Sequence, residues 1–380
     1  MLMSNRRGRV LEALVLLASA AILFAPMYYS QVYLGGISDI PAHLGWAKEL
    51  LAGSPSVPSN VIAHGAWEWS VIFVKSVFNA GWSGSALVVT LGSDLLTALI
   101  LFLLLRRRSS PILAGALTLG VMLIGPLALF FPFDQVWYPG GYIWANIYHN
   151  PTSLLLRPFA IIQFVFSYNA IAGKKSKWYV ILLVAIVSGF AAFAKPVYII
   201  CLLPISGIFA LFRLIRKQPI DLLGLIFGIV IPSTTLLIWQ FSITYAAGAP
   251  SQIAILPFDV MSQFSGNLAP KFILSIAFPL AITILYWQEA VKDVRIQLGW
   301  LTFFVGALYT YFLAELGPTY NAGNFIFCGE IALFMLIVAC VAFLMERQLP
   351  DRKIGRWLIL GIGLLQVFFG ISFFFFKIYH

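Results

Sequence analysis

Charge is scarce in this chain. Asp, Glu, Lys and Arg together make up 10% of its 380 residues, where a soluble domain carries about a quarter. Cysteine is scarcer still: Cys201, Cys328 and Cys340 all lie inside apolar runs, so they read as small buried hydrophobes and not as a disulfide framework. There is no GxxxxGK[ST] stretch, which argues against an ATP-driven pump. There is no HExxH and no CxxC either, which argues against a zinc protease of that type and against metal sites of standard spacing. What fills the chain is apolar. Hydrophobic residues reach 61% and aromatics 16%, with 33 Phe, and the mean hydropathy is +0.93. No water-soluble fold hides that much apolar surface, so the composition points to an all-α polytopic membrane protein and excludes disorder and a secreted disulfide scaffold.

A helix needs about 20 apolar residues to cross the hydrocarbon core. Eleven segments fit: 10–33, 83–105, 111–131, 152–172, 178–194, 196–212, 219–242, 271–288, 296–314, 325–345 and 357–377. The fifth and sixth are short and flank Lys195-Pro196, as in a tight hairpin. The net charge of +10 follows these segments. With Arg6, Arg7 and Arg9 in the cytoplasm, alternate loops hold Arg106–Arg108, then Lys174, Lys175 and Lys177, then Arg213, Arg216 and Lys217, then Lys292 and Arg295, then Arg347, Arg352, Lys353 and Arg356. Lys48, Lys75, Arg157, Lys195, Lys271 and Lys377 fall on the other side. This is the positive-inside pattern. It predicts an N-in, C-out chain of about eleven spans in the cell membrane, and no nucleic-acid partner. The first segment reads as an uncleaved signal anchor.

The polar chemistry collects in the outward loops, where all four histidines fall. The first of these loops, about 34–83, opens with Ser38-Asp39-Ile40-Pro41-Ala42-His43, a helix-start signal. Two amphipathic helices are expected in it, over Ile40–Ala52 and Trp67–Asn79, lying in the membrane interface. Asp39 and His43 stand four apart, on one side of a turn. Asp39 suits a general base or a helix N-cap, and His43 suits its helper or a simple hydrogen-bond partner. The second loop carries Asp134 and Trp137 and ends in His149-Asn150-Pro151, where Asn150 reads as the cap of the fourth segment. Arg157 then lies nearly two turns inside it. An ionisable residue at that depth is a functional candidate by default; the alternative is a side chain that snorkels to the interface. His149, Asn150, Arg157 and Lys195 form a candidate phosphate-binding set, helped by a helix N-terminus. Glu315 and Asn324 sit in a Gly- and Asn-rich stretch that suits a ligand loop or an ordinary turn. Asp94 and Glu330 are intramembrane acids, expected to face the bundle interior with partners.

A first span followed by a long outer loop, with an acid near its start in Ser38-Asp39-Ile40-Pro41-Ala42-His43 and the continuation Ala47-Lys48-Glu49-Leu50-Leu51-Ala52-Gly53, resembles the GT-C superfamily of integral-membrane glycosyltransferases. Tyr148-His149-Asn150-Pro151-Thr152, Ala194-Lys195-Pro196 and Gly323-Asn324-Phe325 resemble bacterial multispan proteins of surface-polysaccharide synthesis. The resemblance implies one transmembrane domain over 1–380. Within it, residues 1–212 form the GT-C-like module, and over 213–380 the likeness loosens. It implies transfer of a sugar from a polyprenyl-phosphate donor to a hydroxyl of a lipid-linked or glycan acceptor on the extracytoplasmic face. Asp39 would take the acceptor's proton, assisted by His43. His149, Asn150, Arg157 and Lys195 would hold the donor phosphate, and Asp134, Trp137, Glu315 and Asn324 the acceptor. The acid is single, with no Asp-x-Asp, so no metal or other cofactor is expected. The soluble domain that many members carry has no counterpart before His380. Three other classes stay open: a transporter or flippase of a lipid-linked glycan or small anion, a polysaccharide polymerase or ligase, and a non-catalytic assembly partner.

Overall fold

A computed structural model of the chain describes residues 2–129, 140–245, 252–317, 320, 323–346 and 353–379. Asp134 and Trp137 lie outside the described residues. Each of the eleven apolar segments becomes a helix or a bent helix pair. The first is α1 (Leu2–Tyr33). The outer loop then folds as α2 (Ile40–Leu51), the short α3 (Ser59–Ala63) and α4 (Ala66–Phe78), followed by α5 (Trp82–Leu105) and α6 (Pro111–Leu123). Next come α7 (Pro151–Ile171), α8 (Trp178–Ala194), α9 (Ile199–Ile215), and α10 (Leu222–Leu225), which runs through a π-helical turn at Ile226–Val230 into α11 (Ile231–Thr244). The last third comprises β1 (Gln252–Ile255), α12 (Asp259–Ser262), α13 (Leu268–Ser275), α14 (Ala277–Leu285), α15 (Trp287–Ala290), α16 (Val294–Phe312), β2 (Leu313–Leu316), α17 (Ile326–Glu346) and α18 (Lys353–Tyr379).

The expected eleven crossings resolve more coarsely. Among the described residues six helices are long and apolar enough to span, within α1, α5, α7, α10–α11, α17 and α18; α13 and α14, bent by 63° at their junction, make a seventh if they act as one. The helices α6, α8 and α9 are apolar but shorter, and α16 carries Arg295 and Gln297 in its first turn. Segment 111–131 stays helical only to Leu123, because Gly125 and Pro126 follow and proline disfavours helix in the residue before it. The fold is also not purely helical. β1 and β2 pair antiparallel, Ile253 opposite Glu315 and Ile255 opposite Leu313.

Local chemistry places the helix starts. Ser110 and Asn150 accept from the backbone N–H groups of Leu113 and Ser153, and Pro111 and Pro151 occupy the first turns, where a missing N–H costs nothing. The bend between α13 and α14 exposes backbone groups that lipid could not satisfy. Gln366 of α18 satisfies them: its Oε1 accepts from Phe278 N–H at 3.0 Å and its Nε2 donates to Ser275 O at 3.3 Å, while also donating to Gly125 O, past the end of α6, at 2.9 Å. α17 forms the axis, its apolar stretch entirely sheathed by protein, whereas α1, α11 and α18 keep most of theirs outward.

The bundle has two unlike ends. At one, Arg106 at the foot of α5 pairs with Glu12 near the start of α1 at 2.8 Å, and Lys175 after α7 donates to Ile220 O before α10; this is the basic end. The opposite ends of α1, α7 and α8 meet around Asp39, Asn150 and Lys195.

Candidate active site at the far helix ends

Asp39 stands at the head of α2, yet its side chain caps nothing. Its backbone is already in the right-handed helical region, with φ −82° and ψ −7°, where a capping side chain is badly placed, since caps are usually extended. Pro41 removes one of the N–H groups a cap would serve, and Ser38 Oγ accepts from Ile40 N–H at 3.4 Å. The carboxylate is left for another partner: Asn150 Nδ2 donates to Asp39 Oδ2 at 2.8 Å, and the Asp39 N–H donates to His149 O at 2.9 Å. The start of the first outer loop is thereby stitched to the head of α7.

Asn150 works in both directions. While its amide nitrogen holds Asp39, its Oδ1 accepts from Ser153 N–H at 3.0 Å, from Thr152 Oγ1 at 2.8 Å and from Lys195 Nζ at 2.9 Å. Lys195 also donates to Ser153 Oγ at 3.0 Å, and its ammonium lies 3.3 Å from the centre of the Phe327 ring at the head of α17, a cation–π geometry. Lys195 is 8% exposed, in the turn between α8 and α9. Burial pushes its ammonium down to about 7, opposed by the Asp39 and Glu330 carboxylates. Acid, amide and cation thus form one chain drawn from three separate segments.

His43 is not Asp39's side-chain partner. Its N–H closes the first turn of α2 onto Asp39 O, but its imidazole Nδ1 bonds the Glu68 carboxylate of α4. The ring stands edge-on to Trp46 and Trp67, at 4.9 and 5.9 Å between centroids. Glu68 is 1% exposed and was missed as a site residue. Its signal was a lone carboxylate between two tryptophans, in Ala66-Trp67-Glu68-Trp69. His64 is held differently: Gln240 of α11 donates to Ala63 O and Ala192 O and lies 3.0 Å from His64 Nδ1. Burial, reinforced by the Lys195 charge, pushes His64 down to about 4, so it is neutral at pH 7.

Arg157 goes elsewhere. It is 2% exposed, so it does not snorkel, and its guanidinium lies 3.6 Å from Asp94 of α5 while donating to Ile147 O at 2.9 Å. Tyr28 of α1 donates to the same Asp94 carboxylate. This buried set ties α1, α5 and α7 together inside the bundle, apart from the far-end chain. Glu315 and Asn324 do meet: Asn324 Nδ2 donates to Glu315 Oε2, and Tyr245, at the end of α11, donates to Oε1 at 3.1 Å. Burial and the Glu315 charge push the Tyr245 phenol up. Asn324 lies three residues before Phe327, so this cluster adjoins the strand pair and the loop leading to the Lys195 contact.

Among the described residues no group of three or more His, Cys, Asp or Glu is arranged to hold a metal ion. The cysteines are all buried, as expected, and Cys201 Sγ donates to Val197 O at 3.1 Å. No known protein family, characterised protein or solved structure matches the chain.

Proposed function

We propose that the protein is a membrane glycosyltransferase of the GT-C kind, moving a sugar from a polyprenyl-phosphate donor to an acceptor hydroxyl on the extracytoplasmic face. The observation that carries the reading is the Asp39–Asn150–Lys195 chain. It holds an acid that is spared from capping and a buried cation, linked but not neutralised by direct contact. The positive-inside rule puts the basic end in the cytoplasm and this chain outside.

In the reaction the acceptor oxygen attacks the anomeric carbon and the bond from that carbon to the phosphate oxygen breaks. Polyprenyl phosphate leaves with the electron pair, and Asp39 takes the acceptor's proton. Lys195, with Ser153 and the amide of Asn150, meets the phosphate charge next to the N-terminus of α7. The His43–Glu68 pair sits one turn along α2 and fixes the helix that carries Asp39. Glu315, Asn324 and Tyr245 form the acceptor side. Arg157, sequestered with Asp94, serves the bundle.

The test is transfer from radiolabelled polyprenyl-phosphate sugars to a lipid acceptor in nanodiscs. Asp39→Asn keeps the hydrogen bond from Asn150 and removes the base. Transfer by the unaltered chain, with a loss of about 10²–10⁴-fold in the variant at unchanged melting temperature, supports the reading; full activity of the variant removes Asp39 from it. The buried charges Asp94, Arg157 and Glu330 favour a second reading, a flippase of lipid-linked glycans. That reading gains if no donor supports transfer while the protein moves a fluorescent lipid-linked glycan between leaflets.

A further inference from the structure

At the basic end, remote from the Asp39 chain, α6, α14, α17 and α18 line a cavity of about 560 Å³ that opens to the side. Its walls are apolar, with Leu117, Ile337, Leu344 and Leu364 among them, and Arg356 of the first turn of α18 is the one charged residue among the described residues that line it. Small residues open it. A methyl group added at Gly120 would meet nothing closer than Val367 at 3.9 Å, so α6 leaves the space beside it empty of side chains.

A space of this kind does not hold water. Apolar cavities of about 150 Å³ stay dry and take up apolar guests, and this one falls within the range of about 300–1,000 Å³ typical of ligand pockets. Left empty, its lining would forfeit dispersion contacts on every wall. The protein sits in a solvent of hydrocarbon chains, and the outward side of α18 beside the cavity is itself apolar, with Leu360 and Leu364 exposed. A chain therefore enters from the side. The charge at the opening selects which chain. Arg356 shares its turn with Lys353, guanidinium groups bind phosphate through paired hydrogen bonds, and basic residues beside a span attract anionic lipid.

We propose that this cavity holds one acyl chain of an anionic phospholipid from the leaflet at the basic end, with the lipid phosphate at Arg356. The site is independent of the glycosyl-transfer reading, because it lies at the other end of the bundle and uses none of the same residues.

The test uses the full chain in nanodiscs containing traces of phosphatidylglycerol or phosphatidylcholine that carry a diazirine midway along one chain, with labelled peptides mapped after irradiation. Phosphatidylglycerol is expected to label α6, α17 and α18 several-fold more than phosphatidylcholine does. Gly120→Leu, or Ala116→Leu should the first not fold, fills the cavity and cuts that labelling several-fold, while labelling of the lipid-facing side of α1 stays constant. Arg356→Gln brings the ratio between the two lipids towards one. Equal labelling by both lipids, or labelling spread evenly round the bundle, overturns the proposal. So does displacement of the phosphatidylglycerol label by polyprenyl phosphate, which would assign the cavity to an isoprenoid chain.

Discussion

Helix α7 takes part in two charged clusters, and they are built on opposite plans. Inside the bundle, the Arg157 guanidinium lies 3.6 Å from the Asp94 carboxylate, Tyr28 donates to the same carboxylate, and the Ile147 carbonyl takes a guanidinium N–H. At the far end of the same helix, Asp39 and Lys195 are held near one another, but no ion pair joins them among the described residues. The Asn150 amide stands between, donating to the acid and accepting from the cation. The interior cluster consumes its charges on itself. The far-end cluster keeps one acid and one cation insulated from each other, with the acid partly open and the cation's proton loosely held. A pair that cancels itself serves the fold; a pair kept apart remains available to a substrate.

The sharpest way to break this contrast is to remove one member of each cluster. Arg157→Leu leaves the Asp94 carboxyl without its cation in a fully buried site. A loss of about 3–5 kcal/mol in stability is expected, read as a drop in the denaturation midpoint in detergent. Replacing Asp94 by Leu in the same chain should recover most of it, because two apolar residues can take the place of a buried ion pair at little net cost. Lys195→Met is the counterpart at the far end. It should cost far less stability, since the remaining acid is only partly buried and still bonded by Asn150, but it should weaken donor binding severely. If both single variants lose the same stability, the two clusters have the same job and the contrast fails.

A smaller effect tests the cation's proton. The donor phosphodiester keeps its charge across the working range of pH, so any pH dependence of its binding belongs to the protein. Lys195 is charged below about 7 and increasingly neutral above it. Donor affinity should therefore be flat below pH 7 and fall above it, approaching tenfold per pH unit until the raised value of the bound state is reached. Lys195→Met should be weak and flat throughout. Stability runs the other way. Between about 7 and the ordinary lysine value of 10.5 the unfolded chain holds a proton that the folded chain has shed, so folding stability rises with pH over that window. Titration of a non-hydrolysable donor analogue, and melting curves at pH 6 and 9, check the two signs.

The two clusters were not equally legible in the sequence. Apolar run length located the helices of the bundle among the described residues, because lipid-facing and core-facing stretches need the same residues, and Asn150-Pro151 announced the head of α7 through its cap chemistry. The same patterns could not fix crossing number: whether α6, α8 and α9 are full spans depends on how they sit between neighbours, which composition does not record. The strand pair β1–β2 was invisible, since Ile253 and Glu315 find each other across about sixty residues. At the site, Asp39, Asn150 and Lys195 were each visible as polar residues at apolar helix ends. Their connection was not. Spacing suggested Asp39 with His43, because four residues make one turn, yet the imidazole turned to Glu68 on another helix. Depth in a span singled out Arg157 correctly as unusual, but only the packing of α5 against α7 reveals that Asp94 neutralises it.

The finest test converts the far-end cluster into a likeness of the interior one. Asn150→Asp preserves the acceptor oxygen that caps α7 through Ser153 N–H, so stability should stay within about 1 kcal/mol of the original. It replaces the insulating amide with a carboxylate in direct contact with Lys195 Nζ, now 2.9 Å from Asn150 Oδ1, and it turns the donor that held Asp39 into a like charge. The new counter-ion favours the ammonium. The pH above which donor affinity falls should therefore move upward by about one unit, equivalent to about 1.4 kcal/mol, while affinity at pH 6 drops because the cation is already spent on its neighbour. Transfer should fall too, since the Asp39 carboxylate loses the hydrogen bond from the Asn150 amide and faces a second carboxylate across the gap. A profile that stays where it was, with the capping intact, would mean that Asn150 is a helix cap and nothing more, and that the separation of acid from cation at this end of α7 is incidental to what the protein does.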